Sequence, residues 1–136
     1  MIRHTHQIRV RYSESDRMGT YYNSRLLEWM EVGRSELMRA GGIPYGEWEA
    51  RGVMAPIVEA HLKFKGRAGY DDLLTIETTL VREGRVKVKF ESKVSQAQSG
   101  ATVAEGWTLH ALTDPNGKPL RFPAWVEDFL EKEGDL

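Results

Sequence analysis

"SRLLEWMEVGRSELMRAGG", residues 24–42, is the stretch that decides the fold. At 100° per residue its apolar side chains fall on one broad face, made of Leu26, Leu27, Trp29, Met30, Gly33, Leu37 and Ala40. Asn23 or Ser24 can cap the start of the helix, and Gly41-Gly42 can end it. Gly33 would cost about 1 kcal/mol relative to alanine inside a helix, so its place on the apolar face indicates a closely approaching sheet or backbone. The stretch predicts a long helix that is largely covered.

Strand patterns lie on both sides of this helix. Residues 8–12 alternate between apolar and charged side chains, which predicts a short half-buried strand. Alternating stretches separated by turn sequences predict four further strands, at 57–65, 73–82, 86–95 and 102–113. Short helices are predicted at 44–52 and, after a starting proline, at 123–133.

The connections between the later strands are short, which implies antiparallel pairing. The predicted fold class is therefore α+β, with a five-stranded antiparallel sheet wrapped around one long central helix and a short C-terminal helix. We expect a single domain over residues 1–136. An open sheet has edges that invite pairing with a second copy, so we expect at least a dimer.

Composition narrows the function classes. Charged residues make up 29% and apolar residues 40% of the chain, as in ordinary globular proteins. The net charge of −1 gives no general attraction to nucleic acid or membranes. The absence of cysteine excludes disulfides, cysteine metal ligands and a thiol nucleophile, and the scattered histidines do not predict a metal site. No apolar run approaches the roughly 20 residues of a membrane span and no signal-peptide pattern is visible, so a cytoplasmic protein is expected.

A polar loop precedes the long helix. It contains Asp16, then Gly19, and then two tyrosines and an asparagine. Aspartate in such a loop commonly makes a turn or a cap. A carboxylate just before a helix start can also take part in catalysis, and residue type alone favours the turn.

The segment "SDRMGTYYNSRLLEWMEVGRSELMR", residues 15–39, resembles the hotdog-fold acyl-CoA thioesterases of the 4-hydroxybenzoyl-CoA thioesterase type. The matching positions are Asp16, Gly19, Tyr22, Glu31 and Arg34. "FKGRAGYDDLLTI" (64–76) and "GKPLRFP" (117–123) resemble two later landmarks of that family, so the resemblance covers nearly the whole chain. The chain departs from the family pattern at Asn23, where many members have histidine, and at Arg67, where proline is usual.

The resemblance implies hydrolysis of an acyl-CoA thioester without a metal or bound cofactor. Asp16 would be the nucleophile or the general base. Backbone N–H groups at the helix start, at Tyr22 and Asn23, would polarise the thioester carbonyl. The implied substrate contacts are Gly19, Tyr22, Trp29 and Glu31, and the acyl pocket would be lined by residues such as Trp29, Met30, Met54 and Ile57. By resemblance the site lies between subunits of a homodimer or homotetramer.

Several alternatives remain for individual residues. Glu31 and Arg34 are three residues apart and are expected to form an ion pair that fixes the helix, with a catalytic or water-orienting Glu31 as the minority view. Lys65, Arg67 and Arg85 are candidate ligands for the phosphates of coenzyme A, although a solvated basic face is the simpler interpretation. His61 and His110 are expected to be hydrogen-bonded structural residues.

Three other functions compete with the acyl-CoA thioesterase. An acyl-carrier-protein thioesterase and a non-catalytic acyl-thioester-binding protein both fit the sequence. A hydratase or dehydratase would require a histidine–carboxylate pair, and segment 16–34 contains no histidine.

Overall fold

A long helix and a six-stranded sheet contain most of the regular structure of the computed structural model, which describes residues 1–136. The elements in chain order are β1 (Ile2–Arg9), α1 (Arg25–Ala40), α2 (Tyr45–Ala50), β2 (Ile57–Phe64), β3 (Leu73–Glu83), β4 (Lys87–Gln96), β5 (Thr102–Ala111), α3 (Ala124–Leu130) and β6 (Gly134–Asp135). A short 3₁₀ turn, Tyr12–Glu14, follows β1. The strand order is β2-β5-β4-β3-β1-β6, and every pair is antiparallel except β1 with β6.

The helix α1 packs directly on β3. A Cβ added at Gly33 would lie 2.4 Å from the Thr78 hydroxyl oxygen and 2.8 Å from an Ile76 methyl carbon. The expected close approach at Gly33 is therefore confirmed. The buried apolar residues of α1 are Leu26, Trp29, Met30, Leu37 and Met38. Leu27 and Ala40, which the periodicity placed on the covered face, are exposed, so the covered face is narrower than predicted.

Two clusters of buried apolar side chains form the core. One contains Leu26, Trp29 and Met30 of α1 together with Leu74 and Ile76 of β3. The other surrounds Leu37 and Met38, and there α2 and α3 contribute Trp48 and Phe129. The predicted strand alternation is confirmed in the centre of the sheet, where Leu74, Ile76, Thr78 and Leu80 of β3 and Val88, Phe90 and Val94 of β4 are buried. The apolar faces of these strands therefore carry the helix.

The sheet differs from the prediction at its N-terminal strand. β1 begins at Ile2 rather than at residue 8, because it pairs with β3 from Ile2–Leu80 to Arg9–Leu73. A sixth strand, β6, pairs with Ile2 and Arg3, so the predicted count of five strands is wrong by one short strand. These pairings join residues more than 60 positions apart, which local sequence patterns do not show.

One edge of the sheet is open. β2 pairs with β5 only, and its outer side has no neighbouring strand. Val58 and Phe64 on this strand are 53% and 47% exposed. At the other edge β6 protects the first residues of β1. The unpaired β2 edge therefore carries exposed apolar side chains. None of the helices has both the length and the hydropathy required to cross a lipid bilayer.

Candidate active site

The loop that carries Asp16 is closed by backbone hydrogen bonds. The N–H of Asp16 donates to the Thr20 carbonyl (2.7 Å), and the N–H of Tyr22 donates to the Glu14 carbonyl (2.9 Å). Gly19 adopts a φ of +77°, which glycine reaches without strain. The N–H of Tyr21 donates to the Ala68 carbonyl (2.8 Å), which fixes the loop beside the segment after β2. The loop is thus a defined turn that leads directly into α1.

Asp16 lies in a shallow cleft and is partly buried. The cleft is lined by Tyr12, Ser15, Asp16, Arg17, Gly19 and Tyr70. The Oδ1 atom of Asp16 accepts a hydrogen bond from the N–H of Met18 (2.8 Å). The Oδ2 atom has no hydrogen-bond partner within the chain. The Asp16 side chain is therefore compatible with a turn-forming role and with a catalytic role, because Oδ1 stabilises the turn and Oδ2 has no partner in the chain.

Free backbone donors occur at the start of α1. The N–H of Tyr22 is occupied by the Glu14 carbonyl, whereas the N–H groups of Asn23 and Ser24 donate to no acceptor in the chain. Ser24 is the N-cap residue, and no side chain caps the helix, so the expected side-chain cap is wrong. The Tyr22 N–H is therefore not available to the thioester carbonyl, contrary to the expectation. Tyr22 itself is 57% exposed, so its side chain remains accessible. The available donors are Asn23 and Ser24.

A buried carboxylate, Glu14, supports this loop from beneath and was missed by the sequence reasoning. It accepts hydrogen bonds from the N–H of Arg11 (2.7 Å) and from the indole Nε1 of Trp29 (3.1 Å). Trp29 is only 2% exposed. Trp29 was expected to contact the substrate. Its ring instead lies in the core and its indole N–H is bonded to Glu14, so it is not accessible for that contact. The sequence around Glu14 contains no motif that distinguishes it from an ordinary exposed glutamate in a loop.

A second concave site lies beside the other half of α1. It is a cavity of about 360 Å³ lined by Glu31, Arg34, Ser35, Met38, Tyr45, Ala55, Pro56, Ile57, Phe90 and His110. The expected lining residue Ile57 is found here, and so is Glu31. Met30, also expected in the pocket, is buried in the core instead. Met54 is held by backbone pairing with Thr113 and does not line the cavity.

Arg34 is the buried cation of this cavity. Its side chain is 16% exposed, and its nearest carboxylate oxygen, on the well-exposed Glu31, is 3.9 Å away. The expected ion pair is therefore present only as a long contact. The Nη1 atom of Arg34 is buried without any hydrogen-bond partner. Burial lowers the pKa of the guanidinium, which the Glu31 charge partly offsets, but an arginine remains charged at neutral pH.

His110 forms the inner wall of the cavity as a neutral imidazole. Its Nδ1 lies 2.8 Å from the Ala55 carbonyl oxygen, and its Nε2 lies 2.8 Å from the Thr108 hydroxyl. A carbonyl only accepts, so Nδ1 carries the proton and Nε2 accepts from Thr108. Burial lowers the pKa of His110 to about 4. The expected structural role of His110 is confirmed by these bonds.

The predicted coenzyme A ligands separate into two groups. Arg67 donates to the Met18 carbonyl, beside Asp16. Lys65, two residues earlier, is paired with Glu105 at 3.1 Å. Arg85 lies in the β3–β4 turn. The 11-residue strand β3 separates this turn from the end of the sheet near Lys65 and Arg67, a distance of about 33 Å at about 3.3 Å per residue. Within one chain Arg85 therefore lies in a different region from Lys65 and Arg67, and the contact of each with coenzyme A stays a prediction.

The Asp16 cleft and the cavity lie at opposite ends of β2. The cleft loop is bonded to Ala68 and Arg67, just after the strand ends at Phe64. The cavity is lined by Ile57, where the strand begins. Seven residues of strand separate these positions by about 23 Å. No group of three or more histidine, aspartate or glutamate side chains lies close enough to hold a metal ion.

Comparisons with known proteins agree with this architecture. Residues 10–130 match the family model described as the thioesterase-like superfamily. The chain is 29% identical over 124 residues to YneP of Bacillus subtilis, provisionally named an acyl-CoA thioesterase, with 88% of this chain and 89% of that protein covered. It is 27% identical over 135 residues to 4-hydroxybenzoyl-CoA thioesterase of Pseudomonas sp., covering 93% and 94% of the two chains. A hypothetical protein, TT1821, from Thermus thermophilus has a crystal structure that superposes with a TM-score of 0.86 at 30% identity, over 94% of this chain and 95% of that one.

Proposed function

Because this chain belongs to the thioesterase-like superfamily, we propose that it is a thioester hydrolase acting on acyl-CoA, which it cleaves with water to the free acid and coenzyme A. The named thioesterases among its relatives support the reaction class. The observation that carries the proposal is the free Oδ2 oxygen of Asp16 in an open cleft, on a loop that runs into a helix start with two unpaired N–H groups.

The chemistry requires an attacking oxygen and donors for the carbonyl oxygen. Asp16 Oδ2 can attack the thioester carbon, expel the coenzyme A thiolate and form a mixed anhydride that water then cleaves. Alternatively it can take a proton from a water molecule that attacks the same carbon. In both routes the carbonyl oxygen gains negative charge, and the N–H groups of Asn23 and Ser24 at the positive end of α1 would stabilise it. Gly19, without a side chain, leaves room for the thioester at the cleft.

The acyl group would be accommodated by the cavity of a partner subunit. The open β2 edge is suited to antiparallel pairing with the β2 edge of a second copy. In such a pair the Phe64 end of one strand lies next to the Ile57 end of the other. The Asp16 cleft of one protomer then comes to the mouth of the cavity in its partner, whereas within one chain the two are about 23 Å apart. The proposal thus requires a homodimer, and a tetramer would be built from such dimers.

The first test replaces Asp16 with asparagine, which keeps the size and the Met18 hydrogen bond but removes the charge. We expect kcat/KM for acyl-CoA substrates to fall at least about 100-fold, because a nucleophile or general base is lost, while acyl-CoA still binds. Asp71 is the matched control, since it lies nearby with a φ of +70° that asparagine also tolerates. Asp71→Asn should retain activity. Equal activity of Asp16→Asn and wild type would exclude the proposed role of Asp16.

The second test addresses the dimer. Val58→Asp places a charge on the open β2 edge and is expected to shift the protein to monomers in light scattering and to abolish hydrolysis together with dimerisation. The control is Val32→Asp, an exposed valine on α1, which should leave both unchanged. Full activity in a monomeric Val58→Asp protein would show that the site is complete within one chain.

A further inference from the structure

The polar groups that line the cavity are mostly hydrogen-bond donors without an acceptor. Arg34 Nη1 is buried and unpaired. The Tyr45 hydroxyl accepts from the N–H of Ala55 (3.0 Å), so its own hydrogen remains available. The Ser35 hydroxyl also lines the cavity and makes no hydrogen bond within the chain. These three side chains, each with an unused donor, line the same cavity.

The acceptors that could satisfy these donors are either occupied or distant. His110 Nε2 already accepts from Thr108, and the carboxylate of Glu31 is exposed and 3.9 Å from Arg34. A buried guanidinium nitrogen without a hydrogen bond costs free energy, which a ligand with acceptor oxygens would recover. The neutral state of His110 leaves Arg34 as the only buried charge on the cavity wall.

From this geometry we propose that Arg34 selects the acyl group, and that the preferred substrates carry a second carboxylate at the end remote from the thioester. A carboxylate has only acceptor oxygens and matches the planar fork of arginine in a bidentate arrangement. The apolar lining of Met38, Ile57 and Phe90 would surround the methylene chain between the two ends. This inference rests on the proposed acyl-CoA hydrolysis and adds the chemical class of the acyl group.

The test compares two substrates of equal chain length, glutaryl-CoA and pentanoyl-CoA, which differ in a terminal carboxylate. We expect wild-type kcat/KM to be 10- to 100-fold higher for glutaryl-CoA, mostly through KM. In Arg34→Met the ratio should fall to about 1 or below, because activity on glutaryl-CoA falls more than activity on pentanoyl-CoA. Arg34→Lys should retain part of the preference, because it keeps the charge but loses the fork. Arg39→Met, an exposed arginine on the same helix, is the matched control and should keep the wild-type ratio.

The outcomes separate this inference from the proposed function. Hydrolysis of both substrates with a wild-type ratio near 1 would overturn the role of Arg34 and leave the thioesterase standing. An equal loss on both substrates in Arg34→Met would indicate a structural role only and would also overturn it. Hydrolysis of neither substrate, nor of any other acyl-CoA in a graded panel, would instead refute the proposed function. The wild-type ratio requires no variant, so the test remains decisive if Arg34→Met does not fold.

Discussion

Acidification should destabilise the folded protein through His110, by an amount that follows from its burial. The pKa of His110 is lowered to about 4 by desolvation, against about 6.5 for an unfolded histidine. Below pH 6.5 the unfolded chain binds a proton at this imidazole that the folded chain does not take up until pH 4. Stability is therefore unaffected above pH 6.5 and falls progressively between pH 6.5 and 4. At about 1.4 kcal/mol per pKa unit, the full loss is about 3.5 kcal/mol, of which about 3 kcal/mol has occurred at pH 4.

The measurement is urea unfolding of wild type and His110→Gln at pH 7, 6, 5 and 4, at one fixed protein concentration. Glutamine cannot be protonated, so the stability advantage of wild type over the variant should shrink by about 3 kcal/mol between pH 7 and 4. Taking this difference removes the titration of groups that the two proteins share. His6→Gln, on β1 and away from the β2 edge, is the control for the substitution. A constant difference between wild type and His110→Gln would refute the reasoning, since it would mean that folding does not exclude the proton.

Three further substitutions test the packing around the site by the same unfolding assay. Gly33→Ala should cost about 1–3 kcal/mol, because its Cβ would overlap the Thr78 hydroxyl; an unchanged stability would mean that α1 can shift away from β3 freely. Trp29→Phe should cost about 1–3 kcal/mol, because it leaves buried Glu14 without its indole donor; no loss would show that the bond contributes nothing. Tyr21→Phe removes a buried hydroxyl that has no partner, and it should be neutral or stabilising by up to about 1 kcal/mol; a clear loss would reveal an acceptor for that hydroxyl.

The parts of the fold that the sequence predicts are those with a strong local period. The helix at 24–40 and the strands β3 and β4 are confirmed within one or two residues, because each buries one face along its length. β2 shows the limit of this reasoning. Its alternation predicts the strand but not its environment, since as an edge strand it is largely exposed on both faces. β1 and β6 depend on pairing between the two chain ends and carry no local signal of that pairing.

The family and the enzyme class were predicted from motif residues and are confirmed by the family match and the named relatives. The spacing of Asp16, Gly19 and the helix start is contained in one short segment, so sequence alone brings these residues together. The roles of Asp16 and of the Asn23 N–H group in catalysis remain predictions. Spacing could not show that the Tyr22 N–H is consumed by Glu14, because that bond depends on how the loop closes.

Glu14, which the sequence did not single out, and Arg34, which it placed in an ion pair, show how burial changes the hydrogen bonds that a polar group requires. Glu14 and Arg34 have ordinary loop and helix contexts, and their chemistry is set only when packing removes water from them. Glu14 then finds two donors and becomes a fixed support, whereas Arg34 finds only a distant carboxylate and retains an unsatisfied donor. A satisfied buried charge contributes to structure, because removing its partner is costly, whereas an unsatisfied donor beside a cavity is a candidate for binding a ligand. That contrast is the physical reason for assigning Glu14 to positioning of the loop and Arg34 to recognition of the substrate.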